Sequence, residues 1–110
     1  MKFNGNLKVE VKSLLGRGKA NAITGKGLAK ILGYPNDRLI RLAIRGMIAD
    51  GVPIASSVNP PFGYYIARTP EEVNEYLRVL RSRLIQDAYR RRDFKMAARE
   101  ILDPYQMILV

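Results

Sequence analysis

Residues 24–51 read TGKGLAKILGYPNDRLIRLAIRGMIADG, and they carry the clearest local signals of the chain. Thr24 is a good N-cap residue, and Ile23 before it is placed to pack on Leu28 as a hydrophobic staple. Gly33 is a typical C-terminal stop. The pattern predicts a short helix between Thr24 and Gly33, and its expected buried face comprises Leu28, Ala29, Ile31 and Leu32.

A second helix is predicted after the tight connection at residues 33–36, and it extends to about Asp50. Asn36 is interpreted as its N-cap, Asp37 favours the helix dipole, and Gly51 takes the left-handed position after it. One side of this helix is apolar and is expected to face the core: Leu39, Ile40, Ala43, Ile44, Met47 and Ile48. Two short helices joined by about four residues that include glycine form a helix-turn-helix arrangement.

The periodicity changes after Gly51. Residues 52–56 and 64–67 are strand-like, and a Pro- and Gly-rich loop separates them, which predicts a β-hairpin. Alternation places Tyr64 and Ile66 inward and Tyr65 outward, and the opposite assignment stays open. Helix, turn, helix and hairpin follow one another in the order of a winged helix.

The N-terminal segment admits two interpretations. Apolar residues between positions 6 and 15 recur at helical spacing, and Gly16 is a suitable stop. The Asn-Gly pair at positions 4–5, followed by apolar residues at 7, 9 and 11, suits a hairpin instead. We favour the helix, because Leu14 and Leu15 extend the helical stripe and break the alternation.

A capping box opens the C-terminal segment: Thr69 suits the N-cap, Pro70 the first helical position and Glu72 the third. An apolar stripe follows, consisting of Val73, Tyr76, Leu77, Leu80, Leu84 and Ala88. The stripe fails at residues 90–93 and resumes at Phe94, so we expect a kink or break near Asp93.

These signals predict a mainly α protein with a small β-hairpin, that is, a winged helix-turn-helix with a long C-terminal helical extension. Residues 1–68 would form the domain, and residues 69–103 a helix that packs on it and offers a surface for a homodimer. Residues 104–110 form an apolar tail.

Composition restricts the chemistry of the chain. Its 110 residues include 19 Lys and Arg against 10 Asp and Glu, a net charge of +9, which favours a polyanionic partner. The absence of histidine and cysteine excludes Ser-His-Asp and Cys-His catalysis and His/Cys zinc sites. A carboxylate-only Mg²⁺ site at Glu71, Glu72 and Glu75, and with it an enzyme, stays open as a third interpretation, although acids are favoured at a helix start in any case. The glycine- and lysine-rich segment 16–27 fails the phosphate-loop pattern. We therefore expect no enzyme activity, no cofactor, no metal and, with no apolar run of about 20 residues, no membrane span.

The second helix of the predicted pair carries the leading candidates for DNA contact. At about 100° per residue, Arg38, Arg41 and Arg45 fall on one stripe, opposite the apolar side. Such a helix enters the major groove, where arginine binds guanine or phosphate oxygens. Further candidates are Asn36 at its start, Lys26 and Lys30 on the preceding helix, Ser56, Ser57, Asn59 and Arg68 of the hairpin, and Arg90, Arg91 and Arg92 of the last helix.

Four segments resemble the winged helix-turn-helix of small phage and prophage DNA-binding proteins: residues 22–26, 51–57, 63–67 and 69–72. The hairpin is also similar to the wing of the biotin repressor's N-terminal domain. The resemblance covers about residues 6 to 95 and implies a three-helix winged fold that binds DNA without a cofactor.

Two functions follow as hypotheses. The leading one is double-stranded DNA binding, sequence-specific or semi-specific, by a phage-type transcriptional regulator or replication-organising protein in the cytoplasm. A dimer would then bind two half-sites of a roughly palindromic operator. The alternative is a winged-helix module that docks on a host or partner protein through the last helix and the tail.

Overall fold

A computed structural model of the protein describes residues 4–102, with side chains from residue 7 onward. The chain is mainly helical with one small antiparallel hairpin, in the order α1 (Asn4–Leu14), a 3-10 turn (Lys19–Asn21), α2 (Gly25–Leu32), α3 (Arg38–Ala49), β1 (Ile54–Ser57), β2 (Gly63–Ile66) and α4 (Pro70–Ala97). Two compact units, Met1–Tyr76 and Leu77–Val110, divide inside α4. The apolar tail at residues 104–110 lies outside the described residues.

The first segment is helical, as favoured from the sequence. Leu7, Val11 and Leu15 are buried, whereas Val9 is exposed, which is the spacing of a helix face and not of a strand. Helix α1 packs on α3. Together with α2 and the hairpin they form one core, which contains Leu7, Val11, Leu15, Leu28, Ala29, Ile40, Ala43, Ile44, Met47, Ile54 and Ile66.

The predicted caps of α2 are confirmed. Thr24 Oγ1 accepts a hydrogen bond from the Gly27 N–H at 2.9 Å, and Gly33 follows the helix with φ +83°. Ile31, however, is exposed, so its assignment to the buried face was wrong. At about 100° per residue it lies roughly 60° to one side of Leu28 while Ala29 and Leu32 lie to the other, and the core contacts only that second side.

Helix α3 begins at Arg38, with Asp37 at the N-cap position rather than Asn36. The predicted side-chain bond still belongs to Asn36, because its Oδ1 accepts from the Arg38 N–H at 3.1 Å. Ile40, Ala43, Ile44 and Met47 are buried as expected, and Leu39 is partly buried. Ile48 is exposed, contrary to expectation, because it lies about 90° from the centre of the buried face.

The two strands pair antiparallel, with Ile54 opposite Ile66 and Ser57 opposite Gly63. Strand β2 is also bonded along its other edge by residues of the segment before α2. Ile23 and Tyr64 exchange two main-chain hydrogen bonds of 3.0 and 2.7 Å, and Ile66 bonds Gly16 and Gly18, at 2.9 Å each. Gly63 permits the close approach, because its φ is +127° and a Cβ there would lie 2.2 Å from the carbonyl carbon of Ile23.

Tyr65 is buried, so its predicted outward position was wrong. It retains only 1% of its exposure and stands opposite Ala55, which is also buried. The alternation rule assumed that one face of the hairpin meets water. Here the 3-10 turn lies against β2. The carboxylates of Glu72 and Glu75 are close enough to raise the pKa of the Tyr65 phenol, in addition to the larger effect of burial.

The capping box at the start of α4 forms as predicted and extends further than expected. Thr69 Oγ1 accepts from the Glu72 N–H at 3.2 Å. The Glu72 carboxylate in turn accepts from the main-chain N–H groups of Arg68 and Lys19, at 2.8 Å each. Lys19 also donates through Nζ to Glu75 at 2.7 Å. The first two turns of α4 are therefore attached to the 3-10 turn.

Helix α4 is continuous through Asp93, so the break expected there is absent. The helix ends at Ala97 and is therefore shorter than the 69–103 expected from the sequence. No residue of α4 is buried. Between residues 4 and 102, no helix is both long and apolar enough to cross a membrane.

Candidate nucleic-acid interface

Three arginine side chains lie together on the outer side of α3. Arg38, Arg41 and Arg45 are all exposed, and they line one shallow surface depression; we call them the arginine face. The opposite side of α3 carries Ile40 and Ile44, which are buried in the core. Because that side is fixed by packing, the direction in which the arginine face points is fixed as well.

Leu42 is part of this surface, although sequence reasoning did not single it out. It is 52% exposed and lines the same depression as the three arginines. Successive helical residues turn by about 100°, which puts position 42 only about 40° from position 38. The helical-wheel arithmetic that grouped the arginines was therefore sufficient to find Leu42. An apolar side chain among arginines suits contact with a thymine methyl group.

Asp37 brings a negative charge to the edge of the arginine face. Its Oδ1 lies 3.4 Å from Arg41 Nε, an ion pair across one helical turn. The Asp37 side chain is mostly buried, and its Oδ2 would lie 2.9 Å from a Cβ on Gly25, the first residue of α2. A carboxylate beside a helix start is stabilised by the helix dipole, here that of α2. Asp37 therefore interacts both with the start of α2 and with Arg41 on α3.

Lys26, Lys30 and Asn36 are brought together by the structure. They line a second depression, between α2 and the residues that lead into α3, with Asp37 on its border. Both lysines are exposed. The predicted cations of α2 and the arginine face therefore adjoin each other around Asp37, as a surface that follows a phosphate backbone requires.

The loop between β1 and β2 is apolar at its tip and contains no charged residue. Val58 and Phe62 are about half exposed, and the Pro60–Pro61 peptide bond is cis. Asn59 is exposed, but Ser57 is buried and its hydroxyl bonds the main chain of Asn59. Ser57 thus stabilises the turn, Ser56 is partly buried, and Asn59 is the predicted tip residue that is open to a ligand.

Arg68 lies at the other end of the hairpin. Its aliphatic chain runs beside Gly18, since a Cβ on that glycine would meet Arg68 Cδ at 3.2 Å. Its main-chain N–H bonds Glu72. The side chain is exposed and cationic, and it lies near Gly18 and the Glu72 carboxylate at the start of α4.

The three arginines of α4 belong to the second unit, and each takes part in an interaction. Arg90 pairs with Asp87 at 2.9 Å. Arg92 pairs with Asp93 at 3.3 Å and lies 5.0 Å from the centre of the Tyr89 ring. Arg91 is exposed and also takes part in an interaction.

The acidic residues at the start of α4 act structurally. Backbone hydrogen bonds from Arg68 and Lys19 lower the pKa of Glu72, and the bond to Glu75 raises the pKa of Lys19. Burial raises the pKa of Tyr65 beside them. Within residues 4–102, no group of three or more acidic side chains is placed to hold a metal ion.

Comparison of the chain with family models, with curated proteins and with solved structures found no match.

Proposed function

We propose that this chain is a winged helix-turn-helix protein that binds double-stranded DNA through α3 and the β1–β2 loop and catalyses no reaction. The observation that carries the proposal is the arginine face, exposed on a helix whose other side is fixed in the core. Arginine forks match both guanine and phosphate oxygens, and a rigidly held helix places them in the major groove.

The order of elements supports the winged helix. α1 precedes the segment at residues 16–23, which pairs with β2, and α2, α3 and the hairpin follow. In this arrangement α3 is the recognition helix, and α2 contacts the backbone with Lys26 and Lys30. The uncharged tip with Phe62 and Val58 suits the minor groove, where apolar side chains wedge between base steps.

The net charge of +9 supports the same function through counterion release. Each phosphate that a protein neutralises lowers the slope of log K against log salt by about 0.9. The five cations of α2 and α3 therefore predict a slope of about −4.5 if all of them reach phosphates.

The test is a fluorescence-anisotropy titration with random duplex DNA from about 50 to 200 mM salt. We expect Arg45→Ala to weaken binding and to make the slope shallower by about 0.9. Lys12→Ala removes one exposed cation from α1 and serves as the control, which should titrate like the wild type. Absence of binding at low salt, or identical curves for the two variants, would overturn the proposal.

Within this proposal the protein is a phage-type transcriptional regulator or a replication-organising protein. A selection from random duplexes follows the titration. A recurrent sequence motif would support regulation at defined sites, and its symmetry would report the arrangement of half-sites.

A protein-binding module is the second candidate, and the exposed apolar side chains of α4 favour it. Leu77, Leu80 and Leu84 are between 41% and 70% exposed. Contiguous exposed apolar surface on a small protein marks an interaction site. If the wild type binds no DNA, retention of a specific protein by α4, lost on Leu84→Asp, would support this function.

A further inference from the structure

Helix α4, together with Ala98 directly after it, carries a seam of residues spaced alternately three and four apart beyond Tyr76. The Ala98 N–H still donates to the Phe94 carbonyl at 2.9 Å, so Ala98 continues the spacing of the helix. The seam consists of Leu77, Leu80, Leu84, Asp87, Arg91, Phe94 and Ala98. This is the heptad spacing by which two helices pack along each other. Leu84 and Phe94 are 70% and 74% exposed, so the seam is uncovered in the monomer.

Two charged residues interrupt the seam at consecutive positions. Asp87 and Arg91 stand where apolar residues are expected, with Leu84 on one side and Phe94 on the other. A polar residue at a seam position lowers the stability of a helix pair, but it selects the register and orientation in which that residue is satisfied.

We propose that α4 pairs with α4 of a second copy of this chain in antiparallel orientation, with Asp87 of each chain opposite the partner's Arg91. When one helix is reversed, successive seam residues are still three and four residues apart in alternation, so the two seams stay aligned. In this register Leu84 meets the partner's Phe94, and Leu80 meets the partner's Ala98. The seam thus places apolar residues on apolar residues and an acid on a base.

The competing arrangements bury unmatched charges. A parallel pair in register sets Asp87 against the partner's Asp87 and Arg91 against the partner's Arg91, and like charges at a seam are repulsive. An antiparallel pair shifted by one heptad sets Asp87 against an apolar residue, either the partner's Leu84 or the partner's Ala98. Charge complementarity therefore favours one register and one occupant, a second copy.

The flanks of the seam are basic, and this gives self-association a characteristic salt dependence. Residues 77–102 contain eight Arg and Lys against three Asp and Glu. Two such helices repel each other at low salt, so pairing should tighten as salt screens the repulsion. Binding of α4 to DNA or to an anionic membrane would weaken instead.

The first measurement is sedimentation equilibrium of the full chain from about 0.1 M to about 1 M salt, over which the Debye length falls from about 10 Å to about 3 Å. A monomer–dimer equilibrium that tightens with salt is the expected result. A monomer at every salt concentration would overturn the proposal, and so would association that only weakens with salt.

A charge-exchange cycle tests the central pair. Asp87→Arg and Arg91→Asp each place like charges opposite each other, and each should weaken dimerisation roughly tenfold. The double variant restores opposite charges and should recover most of the lost affinity. Additive losses in the double variant would contradict the pairing. Circular dichroism of each variant separates loss of pairing from loss of the helix.

Engineered cysteines test the orientation, since the chain contains no cysteine of its own. An oxidised mixture of Leu84→Cys and Phe94→Cys chains should give mainly the mixed disulfide, because antiparallel pairing holds identical positions about 15 Å apart along the axis. Ser82→Cys, on the opposite side of the helix, is the control and should not cross-link. Disulfides that join mainly identical positions would overturn the antiparallel arrangement.

Discussion

Arg41 Nε lies 3.4 Å from Asp37 Oδ1, so the surface proposed to meet DNA contains an acid paired to one of its three arginines. Asp37 is mostly buried against Gly25, whereas Arg41 is 61% exposed. The acid therefore stays in place while the arginine is able to turn toward a phosphate. DNA binding must then compete with a contact made inside the free protein.

Replacement of Asp37 by asparagine should tighten binding to random duplex DNA. Exposed ion pairs contribute about 0.2–1 kcal/mol, so removal of the competing carboxylate should raise affinity by a factor of about 1.4 to 5. Asp50→Asn is the matched control, because it removes the same charge from the other end of α3, where Asp50 pairs with Lys8. Equal gains in both variants would mean that only net charge matters.

The loop tip is tested by Asn59→Asp, which changes one amide to a carboxylate of the same shape. The hydrogen bonds between residue 59 and Ser57 involve only the main chain of residue 59, so the fold should be unaffected. If the tip enters a groove, the added negative charge should lower DNA affinity several-fold at low salt. Asn74→Asp on α4 controls for net charge, and an equal loss in that variant would remove the tip from the interface.

Stability should fall in acid through Glu72. Hydrogen bonds from the main-chain N–H groups of Arg68 and Lys19 lower its pKa in the folded state below 4.5, its ordinary value. This contribution is therefore fully present above about pH 4.5 and is lost as pH falls through the folded pKa. Glu72→Gln should lower the melting temperature at neutral pH and flatten its decline toward acid.

Glu71→Gln is the control for this experiment. It removes the same charge from the same helical turn without touching the two hydrogen bonds, and it should keep the wild-type dependence of melting temperature on pH. A Glu72→Gln profile that runs parallel to the wild type would contradict the assigned role.

Tyr65→Ala should be among the most damaging substitutions in the chain. The side chain is 1% exposed, and truncation of a buried aromatic residue costs about 3–5 kcal/mol in the free energy of unfolding. Tyr89→Ala, on the exposed surface of α4, should cost about 1 kcal/mol or less. Chemical denaturation measures both, and similar losses would argue against a second buried face of the hairpin.

The local signals in the sequence predicted the helices and most of their ends. Thr24, Gly33, Gly51 and the capping box at Thr69 act within one turn of the chain, and each appears in the structure as expected. Signals of this kind are read reliably because the atoms that satisfy them are close in sequence.

The errors arose where distant segments decide the outcome. Tyr65 is buried where residues 19–21 lie against β2, and the alternation of residues within the strand does not indicate that contact. The 3-10 turn has only three residues, which is too few to show a periodic pattern of apolar residues in the sequence. For Ile31 and Ile48 the sequence showed which residues are apolar, but only the packing shows where the core ends.

The candidate site likewise contains residues that the sequence pattern was enough to find and others whose role only the structure shows. Helical spacing was enough to group Arg38, Arg41 and Arg45, and the structure brings Lys26, Lys30 and Asn36 beside them. Ser57 looked like any polar loop residue, yet its hydroxyl is taken up by the turn. The Asp37–Arg41 pair was not anticipated, although a spacing of four residues on a helix is one at which an acid and an arginine meet.

The pairing of residues 16–23 with β2 also determines how the protein resists aggregation. With that segment in place β1 is the outer strand, and it is only four residues long and follows Pro53, two features that discourage strand addition. If the segment detaches, β2 exposes unpaired main-chain groups next to Tyr64 and Tyr65, which is a template for intermolecular sheets. Variants that loosen Ile23 from Tyr64 should therefore be lost to insoluble polymer before they unfold completely.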